Sequence, residues 1–344
     1  VMAATKALYK GHAVAAVSAT SPHIAEQALG LIEVDYEVLQ PILSIAEAMK
    51  ENAPVIHDDL STHFTHDRFL KGDDTGVKGN VASHIQHKLG DTEQGFQEAD
   101  VIVEREFTTQ TVHQGYIEPH ASTATWAGDG RLTIWTCTQG SFAIRASSAA
   151  ILEIPESQVR VIPTEIGGGF GAKITTYLEP VAAVLSKKSG RPVKVVMSRK
   201  DVFEGTGPAS ASLMRTKIGA TNDGKITAVE LWMAFDAGAY PGSPVGGGAL
   251  CATGPYNIEH LLVDGYDVVT NHQKVQAYRA PGQPQGAFAV EAMIDELAEK
   301  LGMDPMEFRL KNAVTEGDRM SNGIAHPHFG ITEMEQATKN HSHY

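Results

Sequence analysis

The chain has 344 residues, enough for two domains of ordinary size, and 42% of them are hydrophobic, which is ample for buried cores. Its net charge of −13 argues against a general electrostatic grip on nucleic acid or anionic lipid and points to a small-molecule or protein partner. Two cysteines, Cys137 and Cys251, are too few for an iron-sulfur cluster, a four-thiolate zinc site or a disulfide scaffold, and they suit a reducing, cytoplasmic setting.

No apolar run approaches the roughly 20 residues of a membrane span, and the first residues lack the charged and apolar regions of a signal peptide. The chain starts on Val1 and enters strand-like alternation at once, as expected of a fragment or of one piece of a split polypeptide. In order, "HAVAAVSA" reads as a buried strand, "SPHIAEQALGLI" as a helix capped by Ser21 with Pro22 in its first turn, and "EVDYEVL" as an alternating strand. Together they predict a small β-α-β unit. From 57 to 95 charges, scattered glycines and the histidines His57, His63, His66, His84 and His87 show little apolar period, which predicts a solvated connector. With His113 these histidines lack the regular spacing of a metal site on a helix.

Beyond 100 the signal strengthens. "VIVEREFTTQ" alternates, "RLTIWTCTQ" follows an Asp129-Gly130 turn, and "FAIRASSAAILEI" has helical spacing ahead of the strand "VRVIPTEI". A helix, "TTYLEPVAAVLSKKSG", closed by Gly190, leads to the strand "RPVKVVMS". Two long strands then flank Asn222-Asp223-Gly224, the clearest hairpin signal in the chain. "QPQGAFAVEAMIDELAEKLG" is an amphipathic helix ending at Gly302, and "DPMEFRLKNA" begins another with Asp304 as cap and Pro305 at its first position. Mixed helices and long hairpins predict an α+β fold, not a doubly wound sheet.

The sharpest feature is "EIGGGFGAKI", residues 165–174. A P-loop would need a hydroxyl after the lysine, and Ile174 stands there. A dinucleotide fingerprint fits formally through Gly167, Gly169 and Ala172, with Ser198-Arg199 placed to suit a 2′-phosphate. It would, however, put Pro180 inside a helix at a cost of about 3 kcal/mol. The remaining readings are a tight turn and a loop whose backbone approaches a bulky anionic cofactor, with Phe170 as its one large side chain.

Four blocks in order, "TCTQ" (136–139), "GGGFGAK" (167–173), "SGRPVKVVMSR" (189–199) and "QAYRAPGQPQGAFAVEAMIDELAEKLGMDPMEFRLKN" (276–312), resemble the molybdenum-binding subunit of the xanthine dehydrogenase and aldehyde oxidase family of molybdenum hydroxylases. The upstream "GHAVAAVSATSPHIAEQALGLIEVDYEVL" resembles the second half of that family's α/β-hammerhead domain. The resemblance implies a partial hammerhead over 1–60, a connector over 61–95 and a mixed α+β molybdopterin-binding domain with long hairpins over 96–344. It implies that Gln139, Gly168, Gly169, Phe170, Gly171 and Arg279 bind a molybdenum-molybdopterin cofactor, expected in its cytosine dinucleotide form, with no direct metal ligand from the chain. Such enzymes are oxidoreductases that hydroxylate an N-heterocycle or oxidise an aldehyde with water, passing electrons to [2Fe-2S] and FAD groups expected on partner subunits. The family's catalytic glutamate lies beyond the matched part, so no catalytic residue is assigned here, and a C-terminal partner, or the remainder of the same chain, is expected to carry it.

Departures from the family pattern speak about substrate. Ile174 stands where purine oxidisers carry a glutamate, Thr206 where they carry an arginine, and Pro281 where an aromatic stacks on substrate; with Tyr278, these are the candidate pocket residues. Purine oxidation loses its paired hydrogen bonds without those groups. The arginine loop "YRAPGQ" also lacks the cysteine that a carbon monoxide oxidiser needs. An aldehyde or a nicotinate-like N-heterocycle stays open, and a cofactor-free scaffold or a nicotinamide-dependent dehydrogenase are the alternatives.

Overall fold

The computed structural model describes residues 2–328 and 330–344. Its strands are β1 Ser61–Thr65, β2 Asp73–Lys78, β3 Val81–Leu89, β4 Val101–Thr109, β5 Ala121–Trp126 and β6 Leu132–Thr136. They continue with β7 Val159–Pro163, β8 Val193–Val196, β9 Ser212–Ala220, β10 Ile226–Gly238 and β11 His260–Val269. Two compact units share them. One takes in the chain up to Pro41, Val112–Ala209 and Asn271–Arg279; the other takes in Ile42–Thr111, Ser210–Thr270 and the chain from Ala280 onward.

The second unit is a seven-stranded mixed sheet in the order β2-β1-β3-β11-β10-β9-β4. The Asn222-Asp223-Gly224 turn joins β9 to β10 as expected, with Gly224 at φ +85°. The amphipathic helix, Gln283–Leu301, buries Val290, Met293, Ile294 and Leu297 in the same core as Met214, Met233 and Phe235 of the sheet. Asp304 caps the next helix, Pro305–Asn312, by accepting from the Met306 and Glu307 N–H groups. That helix is pinned to the hairpin by Asn312, which accepts from Ile226 N–H at 2.8 Å and donates to Gly224 O at 2.8 Å.

The connector expected over 61–95 is instead three strands of this sheet. Its apolar period is broken because the face of β3 that carries Ile85 and Leu89 also carries Ser83 and the buried His87, whose Nδ1 meets Ser321 Oγ at 3.0 Å. β2 is exposed at every position and so has no apolar face to read. The histidines form no metal cluster with Cys, Asp or Glu among the described residues. His84, for one, holds Asp264 at 2.6 Å and stacks on Tyr266.

The first unit carries a four-stranded sheet, β7-β6-β5-β8. β5 and β6 form the hairpin announced by Asp129-Gly130, β8 is antiparallel to β5, and β7 runs parallel to β6, with helix Ser141–Leu152 as the crossover. Helix Glu179–Ser189 ends on Gly190 at φ +66° and packs Ala182 and Ala183 against Ala124, Leu132 and Ile134. At the N-terminal end only the helix Pro22–Leu29, capped by Ser21, is formed. The flanking runs "HAVAAVSA" and "EVDYEVL", expected as strands, join no sheet among the described residues, although Ala13 O accepts from Ala3 N–H at 2.7 Å, and Val34, Tyr36 and Val38 are exposed. Alternation signals a strand only where a neighbouring strand completes its hydrogen bonds.

Asn312→Ala is expected to lower unfolding stability by about 1–3 kcal/mol, because it leaves the Ile226 N–H and the Gly224 carbonyl buried without partners. Thermal denaturation of the purified protein reads this directly.

Candidate cofactor-binding site

The parallel pairing of β6 with β7 places Thr136 beside Pro163, so the segments leaving both strands emerge at the same end of the sheet. Ligands in sheets of this kind bind beyond the carboxyl ends of parallel strands. From β6 come Cys137, Thr138 and Gln139; from β7 comes the glycine loop. The two segments are stitched together. Gln139 N–H donates to Lys173 O at 2.9 Å, and Thr138 Oγ1 donates to the same carbonyl at 3.0 Å. Gln139 Oε1 accepts from Gly171 N–H at 3.0 Å and from Lys173 N–H at 3.2 Å. With its oxygen engaged in the loop, the Nε2 end of this exposed side chain has no partner among the described residues.

At three of the loop glycines an added side chain would meet protein. A Cβ at Gly167 would lie 2.6 Å from Glu118 Cβ, one at Gly169 would lie 2.5 Å from Gln139 Oε1, and one at Gly171 would lie 2.5 Å from Ala277 O. The side chains are missing because protein fills their space. Gly168 at φ +92° and Gly171 at φ +111° also hold conformations open to glycine, and Phe170 between them is forced to φ +55°, a strained value for a non-glycine residue. Phe170 points outward, 53% exposed, while its carbonyl accepts from Arg279 N–H at 3.0 Å. This nested backbone leaves the N–H groups of Gly168, Gly169 and Phe170 without acceptors among the described residues, although Gly169 is buried. Consecutive N–H groups in such a turn form an anion-binding concavity. The exposed guanidinium of Arg279 likewise meets no acceptor among the described residues.

Beneath the loop lies a buried polar chain that no motif announces. Lys173 is wholly buried, its Nζ 2.6 Å from Glu118 Oε2 and 5.0 Å from the Tyr116 ring centre. Burial raises the pKa of Glu118, but hydrogen bonds from Lys173 and from the Gly167 N–H outweigh it and hold the carboxyl below its ordinary value. Thr206, expected to face substrate, is fully buried instead. Its hydroxyl donates to Val202 O at 2.6 Å, so His113 Nε2 at 3.0 Å and Tyr116 Oη at 3.2 Å must both donate to it. Tyr116 Oη then accepts from His120 Nε2 at 2.8 Å. The hydrogen bonds converge on Thr206 and end on a helix carbonyl, and the network forms the floor beneath the loop. Burial, reinforced by the Lys173 charge, lowers the pKa of His120 to about 4. Of the remaining expected pocket residues, Ile174 is 44% exposed, Tyr278 is exposed beside Arg279, and Pro281 is exposed but belongs to the other unit.

The dinucleotide reading is overturned. A short 3-10 turn follows the glycines, and the helix starts only at Glu179 with Pro180 in its first turn. Arg199 directs its guanidinium to the carbonyls of Tyr116 and Ile117, and Ser198 caps the helix Arg199–Gly205.

Residues 74–313 match the molybdopterin cofactor-binding domain. The chain belongs to this molybdenum hydroxylase family. It is 31% identical to a nicotinate dehydrogenase large molybdopterin subunit of Eubacterium barkeri over 91% of this chain and 70% of that protein. It is 34% identical to the carbon monoxide dehydrogenase large chain of Afipia carboxidovorans, over 91% of this chain and 39% of that protein. Its fold matches the aldehyde oxidoreductase of Desulfovibrio gigas with a TM-score of 0.84 at 30% identity, over 93% of this chain and 34% of that one. The chain thus spans well under half the length of two of these three relatives. Members of the family bind molybdopterin, and the residues at the loop fit such a group. Backbone N–H groups, a side-chain amide and a guanidinium are all donors, suited to the oxygen- and sulfur-rich periphery of the cofactor.

Gly171→Ala is expected to cost about 1–3 kcal/mol beyond the roughly 1 kcal/mol of Gly190→Ala. Both glycines have positive φ, but only the first meets backbone, and parallel thermal denaturation separates the two effects. His120 supplies a pH test. Above pH 6.5 it is neutral folded and unfolded; below that only the unfolded chain takes the proton, so stability falls until about pH 4, by about 3 kcal/mol in all. His120→Gln, which keeps an N–H for Tyr116, is expected to flatten that part of the urea-unfolding pH profile.

Proposed function

We propose that this chain holds one side of a molybdenum cofactor in a multi-subunit molybdenum hydroxylase and reaches activity only with the segment that completes the site. The observation that carries the proposal is the donor cluster at the carboxyl ends of β6 and β7: three successive N–H groups at 168–170 with no acceptor among the described residues, beside Gln139 Nε2 and Arg279. When bound, the cofactor supplies two-electron oxidation of a carbon next to nitrogen or oxygen, or of an aldehyde, with water as the oxygen source. The chain's part is orientation. Gln139 donates its amide to a polar ligand of the cofactor, the loop amides and Arg279 donate to its periphery, and Phe170 shields the near face from water.

Exposed Ile174 supplies an apolar wall where a purine would want a carboxylate, which favours an aldehyde or an N-heterocycle as substrate. The likeness to a nicotinate dehydrogenase subunit supports the N-heterocycle, and nicotinate itself is the first compound to assay. That relative is named a large molybdopterin subunit and is matched over 70% of its length, which supports a site completed by a second polypeptide. In this reading residues 1–60 are the end of a hammerhead domain, the cofactor is the cytosine dinucleotide form, [2Fe-2S] and FAD subunits take the electrons, and the complex is cytoplasmic. No helix among the described residues is long and apolar enough to cross a membrane.

Metal and pterin analysis of the purified complex is expected to give both in equimolar amount with this chain, and a complex with neither overturns the proposal. Gln139→Ala and Arg279→Ala are each expected to weaken cofactor retention about tenfold or more, the value of one hydrogen bond to a charged group at about 1.5–3 kcal/mol. Oxidation of nicotinate and of a simple aldehyde, assayed side by side, tests the substrate assignment.

A further inference from the structure

The floor of the glycine loop contains a buried ion with no direct part in holding the cofactor. Lys173 has no exposed side-chain surface, so it cannot reach a phosphate or any other group outside the protein. Its ammonium has one carboxylate, Glu118 Oε2 at 2.6 Å, and lies over the Tyr116 ring. Glu118 in turn grips the other end of the loop twice. Its Oε2 accepts from Gly167 N–H at 2.8 Å, and its own N–H donates to Gly167 O at 3.1 Å. One ion pair therefore closes the loop from its first glycine, 167, to its last residue, 173. The backbone of that last residue holds Gln139, through N–H to Oε1 and through the carbonyl that accepts from Gln139 N–H and Thr138 Oγ1.

We propose that the Lys173–Glu118 pair is a latch, and that Lys173 is a positioning residue whose role is to set the N–H groups of 168–170 and the Gln139 amide for the cofactor. The proposal rests on the cofactor-binding role of the loop. Lys173 is fully buried while Glu118 is partly exposed, so desolvation of the ammonium offsets much of the attraction, and what the pair supplies is a fixed geometry. The geometry here is the strained one, with Phe170 at φ +55° between two glycines of positive φ, and a loop of this shape relaxes once its ends are released. Groups that orient a cofactor's direct partners commonly change its affinity by ten- to a hundredfold when removed.

Two variants, expressed in the whole complex, separate positioning from stability. Lys173→Met keeps the length of the stem and leaves Glu118 its Gly167 partner. The double variant Lys173→Met/Glu118→Leu removes both charges, so no carboxylate stays behind without its ammonium. Molybdenum and pterin per chain are measured beside the thermal midpoint. The latch predicts that Lys173→Met retains about a tenth or less of the wild-type cofactor. It further predicts that the double variant recovers thermal stability while its cofactor content stays low. Wild-type cofactor content in Lys173→Met, or recovery of cofactor together with stability in the double variant, overturns the latch alone. A wild-type complex that holds neither molybdenum nor pterin overturns the latch and the cofactor-binding role together.

Discussion

The parallel pairing of β6 with β7 is the constraint on which the rest of the site depends. An antiparallel neighbour would send the chain leaving β7 to the opposite end of the sheet from Gln139. Because the two run the same way, with Thr136 beside Pro163, the amide-bearing turn and the glycine loop leave the sheet together. They then tie to each other through hydrogen bonds shared among Thr138, Gln139, Gly171 and Lys173. The crossover helix Ser141–Leu152 makes that pairing possible, since parallel strands need a long connection.

Once the loop is in place, its chemistry follows from which of its donors are satisfied inside. Gly167, Gly171, Ala172, Lys173 and Ile174 all donate their N–H groups to protein acceptors. The three residues between the first two of these have no acceptor for theirs among the described residues. The glycines achieve this by removing side chains from the inner face of the loop, where Glu118, Gln139 and Ala277 already stand, and so the outer face carries donors with one large apolar side chain, Phe170. Close packing on the inner face and open donors on the outer face are thus consequences of the same small residues.

The other unit is organised differently. Its mixed sheet buries Met214, Ile218, Met233 and Phe235 in one core with helix Gln283–Leu301, and two histidines of β3 find partners nearby in space, His84 in Asp264 and His87 in Ser321. His84 and His87, which lie in a stretch without apolar period, are satisfied by neighbours that the sheet brings near from more than 170 residues away in sequence.

Local chemistry determined much of this protein. Turn residues located the β5–β6 and β9–β10 hairpins, capping residues located helices at Ser21 and Asp304, and Gly190 and Gly302 ended two more, because each signal acts on its own few residues of backbone. The ordered blocks around Gln139, the glycine loop and Arg279 pointed to the family and to the donor cluster. Tertiary structure alone decided the rest. It made strands of 61–95, where no apolar period survives because buried His87 is satisfied by a distant partner. Among the described residues it left the strand-like runs before residue 41 outside any sheet, since alternation cannot supply a neighbouring strand. It buried Thr206, gave the loop glycines inner neighbours, and joined Lys173 to Glu118 across 55 residues. A pairing at that separation depends on where two strands and a turn end in space, and no window along the chain contains both partners.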